Sequence, residues 1–380
     1  MRREMLVVER AAVAFVLAAT LTSCLTPPGP PAQSVAQTTT MPAAPTATPV
    51  PPPAPAPTRL VPGLPPRLSW TSTGPVIVPT SDATHDLVSV KDPSIVRYGD
   101  RWHVFASSVA RGGIYGMVYT SFRDWSEAPN APLYYMSRTR GFDTYVAAPQ
   151  VFYFTPQKKW YLLFQSGPPM FSTADEPGDP TKWTEPAPFF ARTPAIVEKN
   201  GGWLDFWVIC DAQRCHLFFS NDHGRWYRSD TAIAKFPYGF SDPVVVLEDA
   251  DAGRVFEACN VYKIGGTGRY LALIEAFDKT SSFHRYFRSW TADDLEGPWT
   301  VLHDDARSPF AGAENVAFDG TAWSRDISHG EMIRAGYDET MVIDGTKLQY
   351  LYQGVDPAAS TADYNGIPWR LGLLTARSGP

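Results

Sequence analysis

Cysteine is scarce in this chain. Four occur in 380 residues, and only Cys210, Cys215 and Cys259 follow Cys24. No CxxC pair or HExxH stretch is present, so metal binding is the lesser reading for these thiols. A Cys210–Cys215 disulfide across a tight hairpin is expected, with Cys259 left as a small buried thiol. Basic clustering is lacking as well: the net charge is −6, and no Lys/Arg stripe marks a nucleic-acid or anionic-membrane face. No long segment repeats its apolar residues with a 3.6-residue period, which disfavours parallel α/β folds. The apolar run Ala11 to Leu21 is too short to span a bilayer as a helix.

That run is flanked by Arg2, Arg3 and Arg10 and reads as the apolar region of an export signal over residues 1–23. It ends in Leu21-Thr22-Ser23-Cys24, which resembles a bacterial lipobox with Cys24 as the lipidated first residue of the mature chain; ordinary secretion with cleavage elsewhere is the alternative. From Pro27 to Pro66 the chain carries 15 of its 36 prolines and almost no charge, so residues 24–66 are expected to form an extended, semi-rigid linker without a core. An extracellular or cell-surface protein follows, monomeric, touching a membrane only through such an anchor and binding no nucleic acid.

What is abundant is strand signal. Aromatic or β-branched runs alternate with polar turns, so that hairpins are the unit: Ile95 to Phe105, Val151–Phe154 to Trp160–Phe164, Trp207–Ile209 to His216–Phe219, Val261–Ile264 to Tyr270–Leu273, and Met341–Ile343 to Leu348–Leu351. They recur roughly every fifty to eighty residues within residues 67–380, with no second linker. A radial repeat of antiparallel sheets closes such a set without long exposed edges, and five blades of about four strands fit the length. The expectation is an all-β, five-bladed β-propeller; two packed β-sandwiches are the runner-up.

Three acids interrupt apolar strand-like runs: Asp92 in Val-Lys-Asp-Pro-Ser-Ile-Val, Asp205 in Trp-Leu-Asp-Phe-Trp-Val and Glu257 in Val-Phe-Glu-Ala-Cys. A carboxylate among apolar side chains loses hydration unless it is paired, so such residues are neutralised, bonded or held for chemistry. Each alone has a plainer explanation: Asp92 as a turn-former before Pro93, Asp205 closing a turn after Gly201-Gly202. Glu257 is harder to dismiss, because strand interiors disfavour Glu. Each lies beside a different hairpin, and inner strands of a propeller converge on one axis. An acid, a base and a tuner at one end of that axis are the minimum kit for splitting a glycosidic bond without an organic cofactor.

An ordered series of segments resembles glycoside hydrolase family 62, the α-L-arabinofuranosidases that trim arabinose side chains from arabinoxylan, in the propeller clan shared with family 43. The segments include Lys91-Asp92-Pro93-Ser94, Leu217 to Phe219 with Asn221-Asp222-His223-Gly224, Arg285 to Thr291, Trp323 to Arg334, Leu348 to Gly354 and Asp363 to Gly372. The resemblance implies Asp92 as general base, Glu257 as general acid and Asp205 as the residue that tunes the acid, in an inverting single displacement with the working carboxyls ~6.5 to 9.5 Å apart. It implies His329 near a structural calcium ion whose shell is completed by waters, and Lys91, Gln165 and Tyr364 as substrate contacts. By chemistry alone His329 reads as a hydrogen-bonded structural residue, and Tyr364 as an ordinary loop aromatic.

Two positions depart from the family pattern. Ser166 stands where a tryptophan is expected after Gln165, so a pocket wall is expected to be missing. Phe206 stands where a polar residue often follows the tuning Asp, which would alter hydrogen bonding to the sugar. Alternatives to an exo-acting arabinofuranosidase are a non-catalytic sugar-binding propeller at the cell surface and a related β-xylosidase or arabinanase; an unpaired Glu257 in an apolar strand argues against the binding module.

Overall fold

The computed structural model describes residues 61–65, 67–278, 284–360 and 363–377. The export-like segment, Cys24 and the prolines up to residue 60 lie outside the described residues. The chain packs earlier than the linker boundary at residue 66 implies: Val61 is buried against the main core, with Leu64 beside it.

The first strand, β1 (Trp70–Ile77), is reserved for closure. Blade one follows as β2 (Leu87–Tyr98), β3 (Arg101–Ala110), β4 (Ile114–Phe122) and β5 (Tyr134–Tyr135). Blade two is β6 (Ala147–Phe154), β7 (Lys159–Gln165), β8 (Pro169–Ala174) and β9 (Ala187–Pro188). Blade three is β10 (Leu204–Cys210), β11 (Arg214–Ser220), β12 (Arg225–Ala232) and β13 (Val244–Glu248). Blade four is β14 (Glu257–Ile264), β15 (Arg269–Asp278), β16 (His284–Ala292) and β17 (Thr300–His303). The remaining strands are β18 (Val316–Phe318), β19 (Ser328–Met332), β20 (Val342–Ile343), β21 (Gln349–Gly354) and β22 (Arg370–Ala376).

Blade five is assembled from both ends of the chain, in the order β19-β21-β22-β1-β18. Strand β1 lies antiparallel to β22, with Trp70 opposite Ala376 and Ser72 opposite Leu374, so ladder hydrogen bonds close the ring. The fold is the expected five-bladed propeller, and four of the five expected hairpins are present. The fifth is corrected: β20 leaves its neighbour and pairs in parallel with β14 of blade four, Lys263 opposite Val342, whereas β21 pairs with β19 and β22. Among the described residues the only α-helix is Ala195–Lys199, and no helix is long and apolar enough to cross a membrane.

Aromatic side chains fill the spaces between blades, because alternate residues of each strand point to opposite faces and every face here meets a neighbour. Several buried polar groups in this core are matched across blades. Gln150 bonds both the N–H and the carbonyl of Val208 at 2.7 Å, and Trp207 Nε1 donates to the Val261 carbonyl at 2.8 Å. Deep in the channel Glu331 and Arg334 form an ion pair at 2.6 Å, both almost fully buried. Arg334 donates to the carbonyls of Ile95 and Val151, and Glu331 accepts from Ser94 Oγ and the Ile95 N–H, so three blades are tied at their inner strands. The Cys210–Cys215 disulfide is present, joining directly opposed residues of β10 and β11.

Candidate active site

Each inner strand carries a β-bulge at the same level of the channel. Register slips between Lys91 and Ser94 in β2, Ala147 and Gln150 in β6, Leu204 and Trp207 in β10, Glu257 and Asn260 in β14, and Ser328 and Gly330 in β19. In four of them a non-glycine residue is left-handed: Asp92 (φ 48°), Ala148 (φ 49°), Asp205 (φ 54°) and Ala258 (φ 53°). Such a residue costs about 1 kcal/mol or more and persists when surroundings hold it in place.

The holding groups form a ring. The bulge N–H of Asp92 donates to Gln353 Oε1 at 2.8 Å, of Ala148 to Ser107 Oγ at 2.7 Å, and of Asp205 to Gln165 Oε1 at 2.9 Å. That of Ala258 donates to Asp205 Oδ2 at 2.9 Å, and that of His329 to Glu275 Oε2 at 2.8 Å. Every acceptor belongs to the preceding blade. A bulge re-aims side chains, and here it brings Lys91, Asp92, Asp205, Glu257 and His329 together around the axis.

Asp92 and His329 are in contact, Oδ1 to Nδ1 3.2 Å, and Asp205 Oδ2 lies 3.7 Å from the same nitrogen. Lys91 Nζ is 3.6 Å from Asp92 Oδ2. Burial works against the Asp92 carboxylate, but the Lys91 and His329 cations outweigh it and hold its pKa well below the usual carboxylate range. Asp205 is pushed up to about 7, chiefly by burial, with the charges of Glu257 and Asp92 adding to it and His329 opposing. Burial disfavours the His329 imidazolium, yet Asp205 and Asp92 lift it to about 9. Cys259 is the expected buried thiol, its Sγ 3.2 Å from the Asp205 carbonyl, and burial raises its pKa.

Glu257 sits at the first position of β14 and is half-buried, its carboxylate paired with the Arg285 guanidinium from β16. Arg285 Nη1 also reaches Glu275 Oε1 at 2.7 Å, and the guanidinium lies 5.2 Å from the Phe256 ring centre and 5.7 Å from that of Trp369. The unpaired Glu257 expected from the sequence is therefore corrected: a cation missed in sequence reasoning partners it. Arg285 lies between His284 and Tyr286 in a strand of mixed polar and apolar residues, and nothing local assigns it to Glu257.

The other expected contacts divide. Tyr364 stands at the rim, its hydroxyl accepting from Lys91 Nζ at 3.0 Å, with Arg285 5.8 Å from its ring centre. Gln165 uses its amide oxygen on the Asp205 N–H and its nitrogen on the Tyr145 hydroxyl at 2.7 Å, so it braces the site. Tyr145 packs 5.4 Å from Tyr115, and Ser166 sits in the turn after β7, its N–H donating to the Pro168 carbonyl at 3.0 Å. Phe206 is 2% exposed and lies between Trp203 and Phe219 inside blade three. It faces the core, so the expected effect of Phe206 on sugar hydrogen bonding is corrected. Asp222 is a further acid missed in sequence reasoning. Its Asn-Asp-His-Gly setting reads as a turn, yet burial and the nearby charges of Glu257 and Asp205 push its carboxyl up to about 8.

Calcium takes six to eight oxygen ligands. Among the described residues no cluster of three or more His, Cys, Asp or Glu side chains is placed to hold a metal ion, and His329 Nδ1 is turned onto two carboxylates. These side chains alone do not fit a calcium cage, and the chemistry of the acids does not require one.

The site is thus a low-pKa carboxylate, a second carboxyl on the same axis and a tuned third between them. Comparison with known proteins gives the family. The model of "Glycosyl hydrolase family 62" matches residues 69–375. Alpha-L-arabinofuranosidase C of Cellvibrio japonicus (strain Ueda107) is 45% identical over 310 residues, which is 81% of this chain and 47% of that protein, so the chain spans about half its length. The catalytic domain of a family 62 α-L-arabinofuranosidase of Coprinopsis cinerea superposes with a TM-score of 0.79 at 48% identity, covering 83% of this chain and 98% of that one. An α-L-arabinofuranosidase of Podospora anserina solved with cellotriose gives 0.79 at 43% identity, covering 83% and 99%. A thermostable family 43 hydrolase, 14% identical with a TM-score of 0.53, shares the fold alone. With the family model spanning the whole propeller and relatives this similar across it, the chain belongs to glycosyl hydrolase family 62.

Proposed function

We propose that this protein is an exo-acting, inverting α-L-arabinofuranosidase that removes arabinofuranosyl side chains from arabinoxylan or a related arabinose-bearing glycan. The reading rests above all on one observation: Asp92 and Glu257, 165 residues apart, are linked through His329, Asp205 and the Ala258 N–H at one end of the channel. Asp92 is the general base. Held ionised by Lys91 and His329, it takes a proton from water as the water oxygen bonds to the anomeric carbon. Glu257 is the general acid and gives its proton to the leaving xylose oxygen as the old bond breaks. Asp205 tunes and positions the acid, Lys91 and Tyr364 meet the sugar at the rim, and Gln165 supports Asp205.

The test is release of free arabinose from wheat arabinoxylan by the purified protein. Release that Glu257→Gln abolishes while polymer binding persists supports the proposal; binding without release by the wild type points instead to a sugar-binding propeller, and release of xylose or cleavage of linear arabinan to another clan activity.

Calcium belongs to this proposal only as a structural ion beside His329 with waters completing its shell; metal analysis of purified protein finding none removes it. Export, lipidation at Cys24 and a monomeric state are likewise proposals. Radiolabelled palmitate incorporated into wild type but not Cys24→Ala supports the anchor, and unlipidated protein found wholly in the medium contradicts it.

A further inference from the structure

The rings at the mouth of the channel continue past Tyr364. Arg285, the partner of Glu257, lies 5.8 Å from the Tyr364 ring centre, and Lys91 Nζ, which donates to the Tyr364 hydroxyl, lies 5.0 Å from that ring and 5.7 Å from the ring of Tyr115. Tyr115 in turn lies 5.4 Å from Tyr145. Tyr115 stands near the start of β4, after a turn in which Gly112 (φ 87°) and Gly113 (φ 78°) are both left-handed. A Cβ on Gly113 would meet Asn365 Nδ2 at 3.3 Å, so this turn packs against the loop that carries Tyr364. Tyr145 precedes β6 and is 43% exposed, yet it is held at both ends: its hydroxyl accepts from Gln165 Nε2 at 2.7 Å, and its ring leans on Tyr115. An exposed ring fixed in this way is preorganised to receive an apolar face at little cost in rotamer freedom.

We propose that Tyr115 and Tyr145 form a subsite for an unsubstituted β-1,4-linked xylose of the polymer backbone, next in line after the sugar at Tyr364. The inference rests on the reading of the protein as an enzyme that debranches arabinoxylan. In that reading Glu257 protonates the leaving xylose oxygen, so the backbone crosses the mouth beside Glu257 and Arg285. From there the contacts run without a break past Tyr364 and Lys91 to the two tyrosines. A pyranose offers its C–H faces to such rings while its hydroxyls stay in water at the edge. The subsite favours arabinose carried on a chain over arabinose on a small aglycone, which does not reach the rings. Binding far from the reacting bond that is equal in ground and transition states appears in KM and leaves kcat alone.

The experiment is calorimetric binding of xylotetraose, an unbranched backbone fragment, to the Glu257→Gln protein and to the same protein carrying Tyr145→Ala or Tyr145→Phe. Loss of the ring is expected to weaken binding about tenfold, whereas Phe, which keeps the ring and loses only the hydroxyl, stays within about threefold. Absent binding, or equal affinity with and without the ring, overturns the proposal. Phe as weak as Ala overturns it too, because Tyr145 would then act only through Gln165. In the otherwise wild-type enzyme Tyr145→Ala is expected to raise KM more on arabinoxylan than on 4-nitrophenyl α-L-arabinofuranoside; an equal fall of kcat on both substrates would mark a merely structural role and overturn the subsite. Should Tyr145→Ala fail to fold, Tyr145→Leu takes its place, with the same expected weakening and the same overturning result. Xylotetraose binding does not depend on turnover, so the two readings fail separately. If the wild type releases no arabinose from arabinoxylan, the functional reading has failed; if it does and xylotetraose ignores Tyr145, the subsite alone is misassigned.

Discussion

Asp205 on blade three accepts the backbone N–H of Ala258 on blade four at 2.9 Å, so one acid fixes the strand position from which its neighbour, Glu257, projects. Asp205 therefore acts on geometry as well as on charge. Its replacement separates the two. Asp205→Asn keeps an oxygen for the Ala258 N–H but loses the charge, whereas Asp205→Ala leaves that N–H without its acceptor. Chemical denaturation is expected to place the Ala variant about 1 to 3 kcal/mol below the Asn variant, with both losing about 10²-fold in kcat/KM. Equal stabilities would remove the positioning role.

Lys91 is expected to set the acidic limb of the pH profile. The Asp92 pKa is depressed in the folded protein by Lys91 and His329, and the working base is the ionised form, present above that pKa. Lys91→Met removes one of the two cations, so the Asp92 pKa rises and the acidic limb of kcat/KM moves to higher pH. A limb that stays in place would show that His329 alone keeps the base ionised.

Gln165 braces the Asp205 bulge rather than serving only the sugar. Gln165→Leu leaves the Asp205 N–H without its acceptor, and a cost of about 1 to 3 kcal/mol is expected. kcat falls with it, because Asp205 is no longer pinned. A rise in KM alone, with unchanged kcat and stability, would make Gln165 a substrate contact only.

Removal of the Cys210–Cys215 bridge by a double Cys→Ser change is expected to lower stability by about 2 kcal/mol, the loop-closure value for so short a link, without altering kcat/KM. The bridge lies at the far end of β10 from Asp205. A large activity loss at full folding would contradict that separation.

The legible parts of this protein are those whose signal is local. Asp92, Asp205 and Glu257 stood out because a carboxylate in an apolar strand demands an explanation, and the hairpins Val151–Phe164 and Val261–Leu273 because both halves are adjacent in the chain. Blade five was misread because its strands come from both termini, and the strand-like Met341–Ile343 pairs with a blade whose inner strand begins at Glu257. The partner of Glu257 was hidden for a similar reason. Arg285 reads as an ordinary strand residue, and only the strand order β16-β15-β14 within blade four brings it across β15 to Glu257; Asp222 has the composition of a turn. The ring of bulge amides and their acceptors links Gln353 to Asp92 and Glu275 to His329 across blade boundaries that sequence spacing alone does not reveal.

The most direct test of the central claim, that Asp92 and Glu257 act on opposite sides of one sugar in a single displacement, is 1H NMR of the first arabinose released from an α-L-arabinofuranosyl substrate, read before mutarotation. The account predicts β-L-arabinofuranose as the initial product. Initial appearance of the α-anomer would contradict it, because retention requires two displacements and a carboxylate that attacks the sugar instead of activating water.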